Sequence, residues 1–300
     1  MPYDAAAEEA KTAAAAPEAK ADGKAGKAVK RGRAGKSDKA SRKAKAETRS
    51  AWRNFKVDLW ATDLNDVEFG ILRDEQNRAQ SRQFTKDMNV IGQVRRDGER
   101  DGLIGWREEL WDRGEGMKRR LVLKLFTESL NWSGSLDLMM GRSLQLSHGA
   151  GVPVAAYSVN LARHDQVIQI ERCARKLPLF PERFSFFIMD DDNVPQYFRL
   201  RRDRFRPGAD YTLYDQTGRK VGHIDHRIFN LGGAWKVKLH KDVAHARLEH
   251  ALTLFCAMLR FNGACRKHVA KLKRAIAQGK ADTKIDHQEA DLYMNPRRVR

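Results

Sequence analysis

Between Phe198 and Pro207 the chain carries Arg199, Arg201, Arg202, Arg204 and Arg206, with Asp203 the single acid among them. On an extended strand alternate residues share a face, so Arg199 and Arg201 project together while Phe198 and Leu200 turn the other way. A guanidinium donates two parallel hydrogen bonds from a planar fork, which fits it to phosphate oxygens. Arg219 and Lys220 follow at a hairpin, and Lys236 and Lys238 alternate along a later strand. Together these nine residues are the candidate anion-binding set. A lipid phosphate and a nucleic-acid backbone suit such a patch equally. A solvated strand face with scattered ion pairs is the plain structural alternative.

Other constellations carry less. Asp190, Asp191, Asp192 and Asn193 offer oxygen ligands for a hard cation. A calcium loop starting there would need Gly sixth and Glu twelfth, where this chain has Pro195 and Arg201, so a polar turn is expected. His223, His226, His240, His245, His250 and His268 crowd the C-terminal third. His223 and His226 would face opposite sides of a strand, and His245 and His250 are five apart on a helix, which does not align ligands. Cys265 and His268 have helical spacing, but no second pair completes a tetrahedral zinc site. His148-Gly149-Ala150-Gly151 is similar to an esterase oxyanion loop, yet no Gly-x-Ser-x-Gly follows; Ser158 and Ser185, the serines downstream, lie inside strands. A glycine-rich hairpin turn is expected there. No dinucleotide or phosphate-loop motif is present. The reading is a non-enzymatic chain with no cofactor and no metal.

The positive charge extends over the whole chain. Of the net +18, residues 1–50 contribute +6 and the remaining 250 residues +12, so the body itself is basic and favours anionic partners. Residues 1–50, rich in Ala, Lys and Gly, lack the apolar side chains to offset ordering entropy and are expected as a disordered tail. Their Gly23 to Arg33 stretch resembles the tails of DNA-coating proteins in composition. Cys173, Cys256 and Cys265 form no close pair, and no basic start followed by an apolar core opens the chain, so a cytoplasmic location is expected. The best apolar run, Ala251 to Leu259, covers about 14 Å as a helix, short of the roughly 18–20 residues that span a bilayer. Any membrane contact is therefore expected to be peripheral.

The elements that must hold the basic residues read as follows. From Ala51 to Gly116, Trp52, Phe55, Leu59 and Trp60 sit at helical spacing while glycines interrupt, so short helices and loops are expected. After Met117 short strands follow: Leu121–Phe126, Ser143–Leu146, Val154–Leu161, Gln166–Glu171, Phe184–Met189 and Tyr197–Leu200. Then come Tyr211–Tyr214, the turn Asp215-Gln216-Thr217-Gly218, and Lys220–His226, a hairpin with glycine where positive φ is needed. Ala234–His240 alternates Trp235, Val237 and Leu239 against Lys236, Lys238 and His240. Val243–Phe261 is expected as a helix capped by Asp242, apolar all round in its second half, and such a helix must be surrounded by protein.

The pattern Tyr211-x-Leu213-x-Asp215-x-x-Gly218-x-x-Val221-Gly222-x-Ile224, then Trp235-x-Val237 and the apolar helix, resembles the tubby C-terminal-like superfamily, which includes phospholipid scramblases and LURP-one-related proteins. The resemblance covers Leu121 to Phe261. It implies a closed twelve-stranded barrel threaded by one hydrophobic helix, and binding of phosphoinositide or other anionic phospholipid. Scramblase-like palmitoylation cysteines and a proline-rich start are missing, which counts against that particular activity. The expected layout is a disordered tail over 1–50, short helices and loops over 51–116, and a tubby-like barrel over 117–265 with its central helix at 243–261. A basic C-terminal tail over 266–300 completes it. In class this is mainly β (α+β), an antiparallel barrel around a buried C-terminal helix. The expected function is non-enzymatic binding of anionic phospholipid at a membrane surface. Sequence-independent association with nucleic acid, aided by Tyr197, Phe198 and Phe205 as stacking residues, and a structural or partner-binding module remain as alternatives.

Overall fold

A computed structural model describes residues 51–64, 83–85, 88–174, 180–204, 210–227 and 233–294, with side chains described from 51 except at 61–64 and 294. The chain divides into units 1–47 and 48–300, and all described residues belong to the second. Twelve strands form it: β1 (Trp52–Leu64), β2 (Asn89–Arg96), β3 (Glu99–Trp106), β4 (Val122–Thr127), β5 (Trp132–Leu138), β6 (Ala156–Leu161), β7 (Val167–Arg172), β8 (Arg183–Met189), β9 (Pro195–Arg202), β10 (Tyr211–Tyr214), β11 (Lys220–Arg227) and β12 (Ala234–His240). Each pairs antiparallel with its sequence neighbours, and β1 pairs with β12 to close the barrel. Closure gives each strand a neighbour on both sides. Val57 lies opposite Trp235 and Phe55 opposite Val237 at the seam. The fold is mainly β, with a C-terminal helix enclosed by the barrel.

That helix, α3 (Ala246–Ala277), follows α1 (Glu108–Asp112) and α2 (Met140–Ala150), and α4 (His287–Met294) comes after it. Residues Ala251 to Met258 are buried on every side, as an all-round apolar run requires. Phe255 meets Phe184 of β8 and Tyr211 of β10 edge-on, at 5.1 and 5.5 Å between ring centroids. The helix starts at Ala246 with His245 as its N-cap, whose Nδ1 accepts from the Leu248 N–H at 3.3 Å. Asp242, expected in that role, instead lies 3.3 Å from Arg219 and 3.1 Å from His240.

Further expectations are corrected. Residues 51–116 contain three barrel strands: Phe55, Val57 and Leu59 alternate into the core, a period of two hidden by Trp52 and Trp60. The barrel thus begins at Trp52, not 117. Ser143–Leu146 is helical within α2, where Ser143 Oγ accepts from the Ala156 N–H at 2.9 Å and Ser147 Oγ from the Val154 N–H at 2.8 Å. His148–Ala150 closes that helix, with Gly151 as its C-cap, rather than forming a hairpin turn. The central helix runs on from Phe261 to Ala277 because Cys265, Val269 and Leu272 continue one buried stripe, so no tail starts at 266. Further on, Glu289 of α4 is buried and accepts from the Met140 N–H at 2.7 Å and the Arg142 N–H at 3.2 Å. The expected tail over 1–50 lies outside the described residues.

Candidate anion-binding face

Arg199 and Arg201 are exposed on the outer wall of β9, while Phe198 and Leu200 are buried behind it, as alternation requires. Strand register extends this face sideways. Arg201 lies opposite Arg183 of β8 and Thr212 of β10; Thr212 lies opposite His223 of β11, and His223 opposite Lys238 of β12. Arg201 and Lys238 are thus three strands apart in one row, about 14 Å along the sheet. Arg199 sits two residues to one side of the row and Lys236 two residues to the other. Lys236 is half-buried opposite Asp225 and Lys56.

The remaining predicted residues divide. Arg202 is exposed at the end of β9, opposite inward-facing Tyr211, and Arg204 is exposed just beyond it. Arg206 and Phe205 lie outside the described residues. Lys220 is exposed at the start of β11. Arg219 is committed elsewhere, bonded to Asp215 at 3.1 Å and Asp242 at 3.3 Å. Those two bonds, Asp215 first, raise its pKa above the ordinary guanidinium value. The outer wall of a closed barrel is convex, so these residues spread over a curved surface instead of converging in a hollow.

Arg199 has a second role that the charge pattern did not announce. It lines a cavity of about 640 Å³ together with Phe187, Tyr197, Ser185, Gln169 and the 215–218 turn. The cavity lies where β7 and β8 part: their register holds only Glu171 opposite Ser185 and Arg172 opposite Phe184. Further along, the Gln166 amide bridges the strands, donating to the Phe187 carbonyl at 3.2 Å and accepting from the Met189 N–H at 2.7 Å. Phe187 and Tyr197 stand side by side, ring centroids 5.7 Å apart, and Tyr197 is 53% exposed. The Arg199 guanidinium lies 5.3 Å from the Tyr214 ring. Arg183 and Phe187 were missed; alternation with buried Phe184, Phe186 and Ile188 is the signal that places both outside.

The acidic run 190–193 is a hairpin turn: Asp190 Oδ1 accepts from the Asp192 N–H at 3.0 Å and the Val194 N–H at 2.8 Å, and Asp191 pairs with Arg247. His268 Nε2 lies 2.9 Å from the Gly116 carbonyl, and Cys265 is buried in the core. Among the described residues, one group of three has metal-ligating atoms mutually within 4.8 Å, namely Asp210, His223 and Asp225. Asp210 lies outside β11, just before β10, so histidine spacing along the chain does not reveal the group. Comparison with protein-family models, with curated proteins and with solved structures found no match for this chain.

Proposed function

We propose that this protein binds anionic phospholipid headgroups at a membrane surface, without catalysis, through the outward basic residues of β9, β11 and β12. The observation that carries the reading is the placement of Arg199 on the outer wall beside the exposed Phe187 and Tyr197, with Arg201 two residues further along the strand. Guanidinium groups next to amphipathic rings suit the boundary between headgroups and acyl chains. The twelve-stranded barrel around an apolar helix supports the resemblance to the tubby C-terminal-like superfamily, and membership in it is part of the proposal. No helix among the described residues is long and apolar enough to cross a membrane. Contact through the barrel wall is therefore peripheral in this reading, at a cytoplasmic leaflet, and the +6 of residues 1–50 adds attraction.

Co-sedimentation with vesicles tests it. Binding is expected to acidic vesicles containing phosphatidylserine or phosphoinositide and not to neutral phosphatidylcholine. At about 1 kcal/mol per basic residue near an acidic surface, the triple variant Arg199→Ala, Arg201→Ala, Lys238→Ala should lose roughly a hundredfold in affinity. Equal binding to neutral and acidic vesicles, or none to either, overturns the reading. The exposed Tyr197 beside Phe187 favours a second reading, single-stranded nucleic acid held by stacking and phosphate contacts. Under it Tyr197→Ala weakens oligonucleotide binding, and affinity falls steeply with salt.

A further inference from the structure

The geometry points to a divalent transition-metal site formed by Asp210, His223 and Asp225, whose donor atoms all lie within 4.8 Å of one another. His223 and Asp225 are two apart on β11, so they share its outer face. Asp210 immediately precedes β10, and the register Thr212 to His223 and Tyr211 to Ile224 carries it beside Asp225. His223 and Asp225 thus stand on one strand, and Asp210 on the residue that leads into the strand paired with it.

The surroundings hold the donors in place. Asp210 is 3% exposed, and its Oδ1 accepts from the His226 N–H at 2.7 Å, which sets the carboxylate plane. Asp203 is a further carboxylate nearby, its Oδ2 3.9 Å from His223 Nδ1, beyond hydrogen-bond distance, and its Oδ1 held by the Thr212 hydroxyl at 3.0 Å. Two carboxylates side by side on neighbouring strands repel each other, and a dication between them relieves that repulsion. Lys236 faces Asp225 from β12, and Arg202 lies near His226.

The donor set selects the ion. One imidazole with two carboxylates suits zinc or manganese, whereas calcium and magnesium take oxygen ligands. Three protein ligands leave a position for water or for an anionic oxygen. His223 lies in the row between Arg201 and Lys238 and Asp225 two residues to one side of it, but the site rests on donor geometry alone and does not depend on the lipid reading.

Calorimetric titration of the full, chelator-stripped chain with ZnCl2, MnCl2 and CaCl2 tests it without vesicles. One saturable zinc per chain is expected, with manganese weaker and calcium weakest. Asp225→Asn and His223→Gln should each weaken zinc about a hundredfold or more, beyond the loss expected from an outer-shell partner. Zinc should raise the melting temperature of the parent chain and not that of Asp225→Asn. Absence of saturable uptake overturns the proposal, as does calcium binding tighter than zinc. Zinc uptake equally tight in Asp225→Asn, which keeps the side-chain shape, also overturns it by assigning the ion to other histidines.

Discussion

Glu182 and Arg172 are an ion pair taken out of water, 2.5 Å apart with side chains 7% and 4% exposed. Glu182 also accepts from the Tyr211 hydroxyl at 2.8 Å and from Asn262 Nδ2 at 3.3 Å, which ties the barrel wall to α3. Burial pushes the Glu182 carboxyl up, but the hydrogen bonds from Arg172 and Tyr211 outweigh it and hold its pKa below the ordinary value of 4.5. A depressed carboxylate stabilises the fold above its unfolded pKa and loses that contribution as pH falls through the folded one. Glu182→Gln leaves Arg172 buried without its counter-charge, at a cost of about 3–5 kcal/mol. Urea unfolding at pH 7 should show that loss, and the gap from the parent protein should narrow below about pH 4; a gap independent of pH contradicts the account. The thiols divide in the same way. Cys173 is exposed, whereas burial raises the pKa of Cys256 and pushes Cys265 up to about 12. A thiol-specific reagent should therefore titrate one cysteine in the folded protein and three after denaturation.

At the scale of elements, α3 is the piece on which the barrel closes. Phe255→Ala removes a ring packed against Phe184 and Tyr211, and equilibrium unfolding should register a loss of about 3–5 kcal/mol. A change under 1 kcal/mol would mean that the helix is not the centre of the core. Much of this element was readable, because Ala251 to Leu259 is apolar on all sides and only enclosure by protein satisfies that pattern. Its extension to Ala277 was not, since beyond Phe261 the apolar residues thin to one stripe that a search for an all-round run ignores. The Asp215–Gly218 turn was equally plain: Gly218 has φ +81°, and its N–H bonds the Asp215 carbonyl at 3.0 Å. Asp97-Gly98 is the corresponding signal for the missed hairpin. Both residues have positive φ, and Arg96 pairs with Glu99 across a two-residue turn. Taken as interruptions, the glycines of this region hide β2 and β3. For α2 the local pattern misled: Ser143 and Ser147 face the backbone before β6, and that contact, not periodicity, places the helix.

Across the barrel unit as a whole, histidines set the response to acid. His164, His226, His245, His250 and His268 all have pKa values lowered from 6.5, with burial the leading cause in each. His164 accepts from Arg247 Nε at 3.0 Å, and Arg247 also donates to the Met189 carbonyl at 2.6 Å, joining the start of α3 to two connections of the barrel. A lowered folded pKa means that the unfolded chain takes up protons first, so stability is full above about pH 6.5 and declines as pH falls toward the folded values. Melting temperatures measured from pH 7.5 to 5.5 should fall steadily; a flat or rising series would sink this assignment. The strands from β6 to β12, the turn between β10 and β11, the apolar core of α3 and the outward direction of Arg199, Arg201 and Lys238 all follow from local order along the chain, because alternation and all-round apolarity are short-range properties. The seam between β1 and β12, the parting of β7 from β8, the companionship of Arg183 with Arg201 and the gathering of Asp210, His223 and Asp225 do not. They depend on inter-strand register, and register is set when the whole barrel closes around its helix.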